Sequence, residues 1–183
     1  MPDRKPLAAM KFRLLLLDAN IVIEISRLGL WDRLTEQGEI YLAQTVVEEA
    51  LFYLDDDGNR QDIDLNPLID RQRVTVFALT TSDLIAIRSQ FDAEYFEKLD
   101  PGETESLAYL LGHSPDARIC SADKIVFRVL GNLQRSEQGI SLEELLRQTG
   151  LGRPLSREFT KAYRLEWAKK GFGDGIWGRG KIP

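Results

Sequence analysis

The chain has 183 residues, enough for one domain with a sizeable core, and its 43% hydrophobic and 29% charged residues are those of an ordinary globular protein. One cysteine, Cys120, excludes an internal disulfide, and with a single histidine, His113, the chain lacks the ligands for a structural zinc site. The net charge of −5 is unevenly spread: residues 146–183 hold 9 Lys/Arg against 3 Asp/Glu, and the rest is strongly acidic.

In chain order, residues 1–11 read as a polar lead-in without periodicity. No apolar run approaches the roughly 20 residues of a membrane-spanning helix. Leu14–Leu17 is cut short by Asp18 and Asn20, so no signal peptide is expected and the protein reads as cytoplasmic. Phe12–Asp18 is a buried strand ended by a turn-forming Asp-Ala-Asn, and Ile21, Ile25, Leu28 and Trp31 recur at helical spacing after it. Ile40–Ala43 is a second strand, Thr45–Leu54 a second amphipathic helix and Asp55–Pro67 a polar excursion.

Val74–Leu79 gives a third strand and Thr81–Leu99 one long helix opened by Thr81 or Ser82. Asp100-Pro101-Gly102-Glu103 starts another helix, with an N-cap Asp, proline at the first position and Glu at the third. Ala117–Ser121 is a fourth strand followed by a helix over Asp123–Leu130, and Gly139-Ile140 a short fifth strand before the capping box Ser141-Leu142-Glu143-Glu144. Ser156–Lys170 forms the last helix, stopped by Gly171, which leaves Gly173–Pro183 as a flexible tail or one docked on a partner. The alternation predicts a three-layer α/β/α fold with a central, mainly parallel sheet of four to five strands over 12–145. Residues 146–183 add a basic helix and Gly-rich tail, packed on that domain or extending from it.

In open parallel sheets, functional groups gather outside the carboxyl ends of the strands. Asp18 ends the first strand, Glu48 and Glu49 follow the second, Glu103 and Glu105 open a later helix, and Asp123 lies just past the fourth strand. Each has an ordinary explanation: Asp18 and Glu103 as caps, Asp123 at a helix dipole, Glu48 or Glu49 as solvated surface. Four carboxylates on one rim nonetheless repel, and either take up protons or bind a cation. Oxygen ligands suit Mg²⁺ or Mn²⁺, and such a site activates water and stabilises charge on a phosphodiester without a histidine. His113 lies in the loop-like run GHSPDAR, where Ser114 and Asp116 are turn residues rather than triad partners.

Four runs, in order, resemble the motifs of the PIN-domain nucleases: LLLLDANIVIEIS, YLAQTVVEEAL, DPGETESLAYLLG and ARICSADKIVF, together covering about residues 12–130. The resemblance implies an acidic quartet of Asp18, Glu49, Glu103 and Asp123 that binds metal, with Glu48 and Glu105 as alternates in the second and third motifs. It implies that Asn20 and Ser121 hold the carboxylates or a phosphate by hydrogen bonds. It further implies a divalent-metal endoribonuclease, similar to the toxin of VapBC-type toxin–antitoxin pairs, with RNA as substrate, a small antitoxin as inhibitor and a homodimer as the assembly. The alternative is a PIN-like module that binds RNA or protein without turnover. A dehalogenase-like phosphatase would want Asp where Asn20 stands, and the paired acids and late lysine of a receiver domain are missing. The basic C-terminal helix offers Arg157, Lys161, Arg164, Lys169 and Lys170 for phosphates, but the four-residue spacing of Phe159, Tyr163 and Trp167 predicts packing on the core.

Overall fold

The computed structural model describes residues 12–112 and 116–181, so the polar lead-in and the turn assigned to His113 and Ser114 lie outside the described residues. β1 (Phe12–Leu17) leads into α1 (Ala19–Arg27) and α2 (Trp31–Thr35); β2 (Gly38–Ala43) leads into α3 (Gln44–Glu49). The hairpin strands β3 (Phe52–Leu54) and β4 (Arg60–Asp62) follow, then α4 (Asn66–Asp70) and β5 (Val74–Phe77). Next come α5 (Thr81–Arg88), α6 (Ala93–Phe96), α7 (Pro101–Gly112), β6 (Arg118–Cys120) and α8 (Lys124–Asn132). β7 (Gly139–Ile140), α9 (Leu142–Gln148) and α10 (Lys161–Ile176) complete the order.

The central sheet runs β5-β2-β1-β6-β7 and every pairing in it is parallel. β1 is its middle strand, and its unbroken leucines alternate between two cores. Leu15 and Leu17 face the cluster of Ile21, Ile25, Leu34, Leu142 and Leu146. Leu16 faces Tyr95, Leu107, Leu110, Val126 and Val129. A strand buried on both sides needs this continuous apolar run, and each fully buried Leu or Ile contributes about 1.5–3 kcal/mol before conformational entropy is counted. The result is the three-layer α/β/α fold expected, with five strands, and it is compatible with the fold of the PIN-domain superfamily. No helix among the described residues is long and apolar enough to cross a membrane.

Three expected elements take another form. The helix expected over Thr45–Leu54 stops at Glu49, and the polar excursion holds an antiparallel hairpin, Phe52 opposite Asp62 and Leu54 opposite Arg60. Its turn is built locally: the Asp55 carboxylate accepts from the backbone N–H groups of Asp57 (3.1 Å) and Asn59 (2.8 Å), and Gly58 takes φ 80°. The helix expected over Thr81–Leu99 is two. Thr80, not Thr81 or Ser82, caps α5, Arg88 ends it, and Asp92 caps α6 through the Tyr95 N–H at 3.1 Å.

The last helix passes through Gly171 instead of stopping there. Gly131 on α8 and Gly171 on α10 are the reason: a methyl on either would overlap the carbonyl of Ala168 or Arg128 on the facing helix. The glycines let two helix backbones touch, so tertiary contact outweighs their weak helix propensity. The tail, as far as Lys181, is likewise held against the rest of the protein. Asn132 Nδ2 donates to the Arg179 carbonyl at 2.7 Å, Gly180 N–H to the Asp92 carboxylate at 2.8 Å, and Lys181 bridges to Phe91.

Candidate functional site

At the carboxyl end of β1, Asp18 takes extended backbone and caps α1, its Oδ1 accepting from Ile21 N–H at 2.8 Å. Its Oδ2 accepts from the Ser121 hydroxyl and from Ala122 N–H at 3.0 Å. The side chain is therefore fixed by the turn that follows the neighbouring strand β6, and is only 2% exposed. Burial pushes its pKa up to about 6; the Ser121, Ile21 and Ala122 hydrogen bonds pull back, and Asp123 adds to the rise. Asp123, half-buried in the same turn, donates its N–H to the Ser121 hydroxyl (2.9 Å) and caps α8 through Ile125 N–H (2.8 Å).

Glu103 and Asp100 form a reciprocal capping pair at the start of α7: Glu103 N–H donates to Asp100 Oδ1 at 2.7 Å, and Asp100 N–H donates to Glu103 Oε2 at 3.1 Å. A simple surface cap would leave Glu103 solvated. Here it is 4% exposed, and burial, then the charges of Asp123, Asp100 and Asp18, push its pKa up to about 9. Asp100 is raised as well, by burial first and by Asp123. In the sequence Asp100 stands only as the cap of α7. Its place immediately before Pro-Gly-Glu carries no signal that separates a cap from a member of the acidic rim.

The second motif's acids stand at the edge of this group. Glu49, exposed at the end of α3, has a raised pKa through partial burial first, then Asp100, Glu105 and Glu48. Its Oε2 lies 3.1 Å from where a Cβ on Gly102 would stand, so glycine there leaves room for the carboxylate against α7. Glu105 is buried and turned to α3, accepting from Thr45 Oγ1 at 2.7 Å. Glu48 is exposed and accepts from Gln44 at 2.9 Å. Asn20 is exposed on α1, with no hydrogen bond to these acids among the described residues, whereas Ser121 holds Asp18 directly.

Asp18, Asp100, Glu103 and Asp123 thus share one electrostatic field, and Asp100 links them to Glu49. Among the described residues, no Lys or Arg makes an ion pair with any of the six acids Asp18, Glu49, Asp100, Glu103, Glu105 and Asp123. Nor, among them, do three His, Cys, Asp or Glu side chains converge closely enough to cage a metal ion. The carboxylates instead accept from the backbone and hydroxyl donors of Ile21, Ala122, Ser121, Asp100 and Ile125. The donor set is all oxygen, which suits a hard divalent cation, but its present side-chain placement is not a coordination shell. Beside Glu105 and Thr45 opens a groove of about 410 Å³ lined by Leu84, Ile85, Phe96 and Pro101. Compared with known protein families, with curated proteins and with solved structures, the chain matches none of them.

Proposed function

We propose that this chain is a divalent-metal-dependent endoribonuclease in which Asp18, Glu49, Glu103 and Asp123, joined by Asp100, hold Mg²⁺ or Mn²⁺. The supporting observation is the largely buried acidic rim with no cationic partner among the described residues, with Glu103 pushed up to about 9 by burial first and then by its acidic neighbours. A buried carboxylate under that repulsion is stabilised by a proton or by a cation, and strongly perturbed acids in a cleft mark functional sites. A bound divalent ion would supply Lewis-acid stabilisation of the phosphodiester and lower the pKa of water. The chain's own residues would do the rest. Ser121 and the Ala122 N–H keep Asp18 oriented, Gly102 leaves space for Glu49 against α7, and the groove beside Glu105 has room for a nucleoside next to the acids.

A VapBC-type toxin is the particular form we carry with this reading, with RNA as substrate, a small antitoxin as inhibitor, a homodimer as the assembly and the cytoplasm as the place of action. These rest on the sequence resemblance alone. The second reading, a PIN-like binding module without turnover, is favoured by one observation: no three of the described acids converge as metal ligands.

The experiment is cleavage of a mixed RNA pool with Mg²⁺ or Mn²⁺ and with EDTA, by the wild type and by Asp18→Asn and Asp123→Asn, alongside calorimetric Mn²⁺ titration. Cutting that needs metal and is lost in both variants supports the enzyme. Absence of both cutting and carboxylate-dependent metal binding sinks it and leaves the binding module.

A further inference from the structure

An acidic rim repels the strand it is proposed to cut, so something beside it must attract phosphate. Helices α8 and α10 pack in parallel: Lys124 stands against Trp167, Arg128 against Gly171 and Asn132 against Gly175. Both amino ends therefore open on the rim that carries Asp123. Tyr163, in the first turn of α10, is near enough to Asp123 to have its pKa raised, by burial first and by that carboxylate next.

Around Tyr163 the C-terminal region is basic and aromatic. Tyr163 and Trp167 stand edge to face with centroids 6.2 Å apart, and both stay part-exposed, whereas Phe159 alone of the predicted aromatic stripe is buried. Three cations surround the pair: Arg157 6.0 Å from the Tyr163 ring, Lys170 3.8 Å and Lys124 5.8 Å from the Trp167 ring. Arg157 and Lys170 share Glu166, at 3.0 and 2.9 Å, in exposed pairs that exchange for phosphate at little cost. Lys124 pairs with no carboxylate among the described residues.

We propose that Lys124, Arg157 and Lys170, with the Tyr163–Trp167 pair, form a track for single-stranded RNA that delivers the strand to the acidic rim; for its substrate class this rests on the nuclease reading. Phosphates lie against the three cations and a base stacks on the aromatic pair, the combination by which single strands are held without sequence preference.

The test is fluorescence anisotropy of a short fluorescein-labelled single-stranded RNA of mixed sequence, in EDTA and across a KCl titration, so that binding is read without cleavage. Lys124→Gln/Lys170→Gln should flatten the plot of log affinity against log salt by about 1.4, at roughly 0.7 for each lost phosphate contact. Trp167→Leu should weaken binding roughly 5- to 100-fold. Arg71→Gln/Arg73→Gln removes the same charge just before β5, at the amino ends of the strands and away from the rim, and should leave the slope unchanged. Equal slopes for the two double variants, or no RNA binding by the wild type, overturn the track whatever the cleavage assay shows. The expected slopes with no cleavage under any metal keep the track and remove the enzyme. The lysine variants alter solvent-facing side chains, so the result stands even if Trp167→Leu fails to fold.

Discussion

Glu103→Gln isolates the electrostatic burden of the rim. Glutamine serves in a capping box as glutamate does, so the bond from Asp100 N–H is retained while the charge is removed. In the folded protein Glu103 is pushed from 4.5 up to about 9, so folding takes up a proton at neutral pH. The stability tied to this group is complete below about pH 4.5 and is lost as the pH rises through 9. At pH 7 the wild type has lost about 3 kcal/mol of it, from 2.5 pH units at about 1.36 kcal/mol each. The variant escapes that loss and should melt roughly 6–12 °C higher at pH 7 in EDTA, at about 2–4 °C per kcal/mol for a domain of this size. Thermal melts from pH 4.5 to 8.5 check it, and the two proteins should converge at the acid end. Saturating Mn²⁺ should raise the wild type and leave the variant nearly unmoved. A wild type whose stability is flat between pH 5 and 8, or a variant no more stable at pH 8, would refute the idea that Glu103 is buried among like charges.

Other perturbations probe the frame around the rim. Gly171→Ala forces a methyl into the Arg128 carbonyl, so α8 and α10 must part, at a cost of about 3 kcal/mol in a urea melt; an unchanged midpoint would contradict the backbone contact. Arg164→Met strips Glu144 of its two guanidinium bonds, at 2.7 and 2.9 Å, and should cost about 3–5 kcal/mol at pH 7. Burial alone would raise the Glu144 pKa, but Arg164 and Ser141 bring it down, so this loss should fade as the pH falls below 4.5. Asp92→Ala removes both the α6 cap and the bond to Gly180 N–H. About 1–2 kcal/mol is expected, with faster hydrogen exchange in residues 177–181, and protection unchanged there would refute the docking.

Local chemistry is what the sequence made legible. The leucine run of β1, the Asp100–Glu103 box and the Ser141–Glu144 box are each written in a few adjacent residues, and each forms as read. Long-range contact was not legible. Leu51, Phe52 and Leu54 continue a helical spacing yet lie exposed around a hairpin whose turn depends on Asp55 and Gly58. Gly171 reads as a helix stop because nothing near it in sequence names Arg128 as its neighbour. At the rim, position could be read and electrostatics could not. That Asp18 and Glu103 follow element ends was visible, but the field tying Asp100 to Glu49 on one side and Asp123 on the other exists only once α3, α7 and β6 are adjacent.

The glycine contact between α8 and α10 also sets a timetable. Loop closure between segments far apart in sequence is slow and must precede the contacts that reward it. During synthesis α8 emerges first, with Gly131 facing a gap that only the later Ala168–Gly171 turn can fill. Until then the helix that carries Asp123 at its head lacks one of its supports. The helix that carries Asp123 at its head, and with it one side of the acidic rim, is therefore fully supported only after the basic end of the chain has been made.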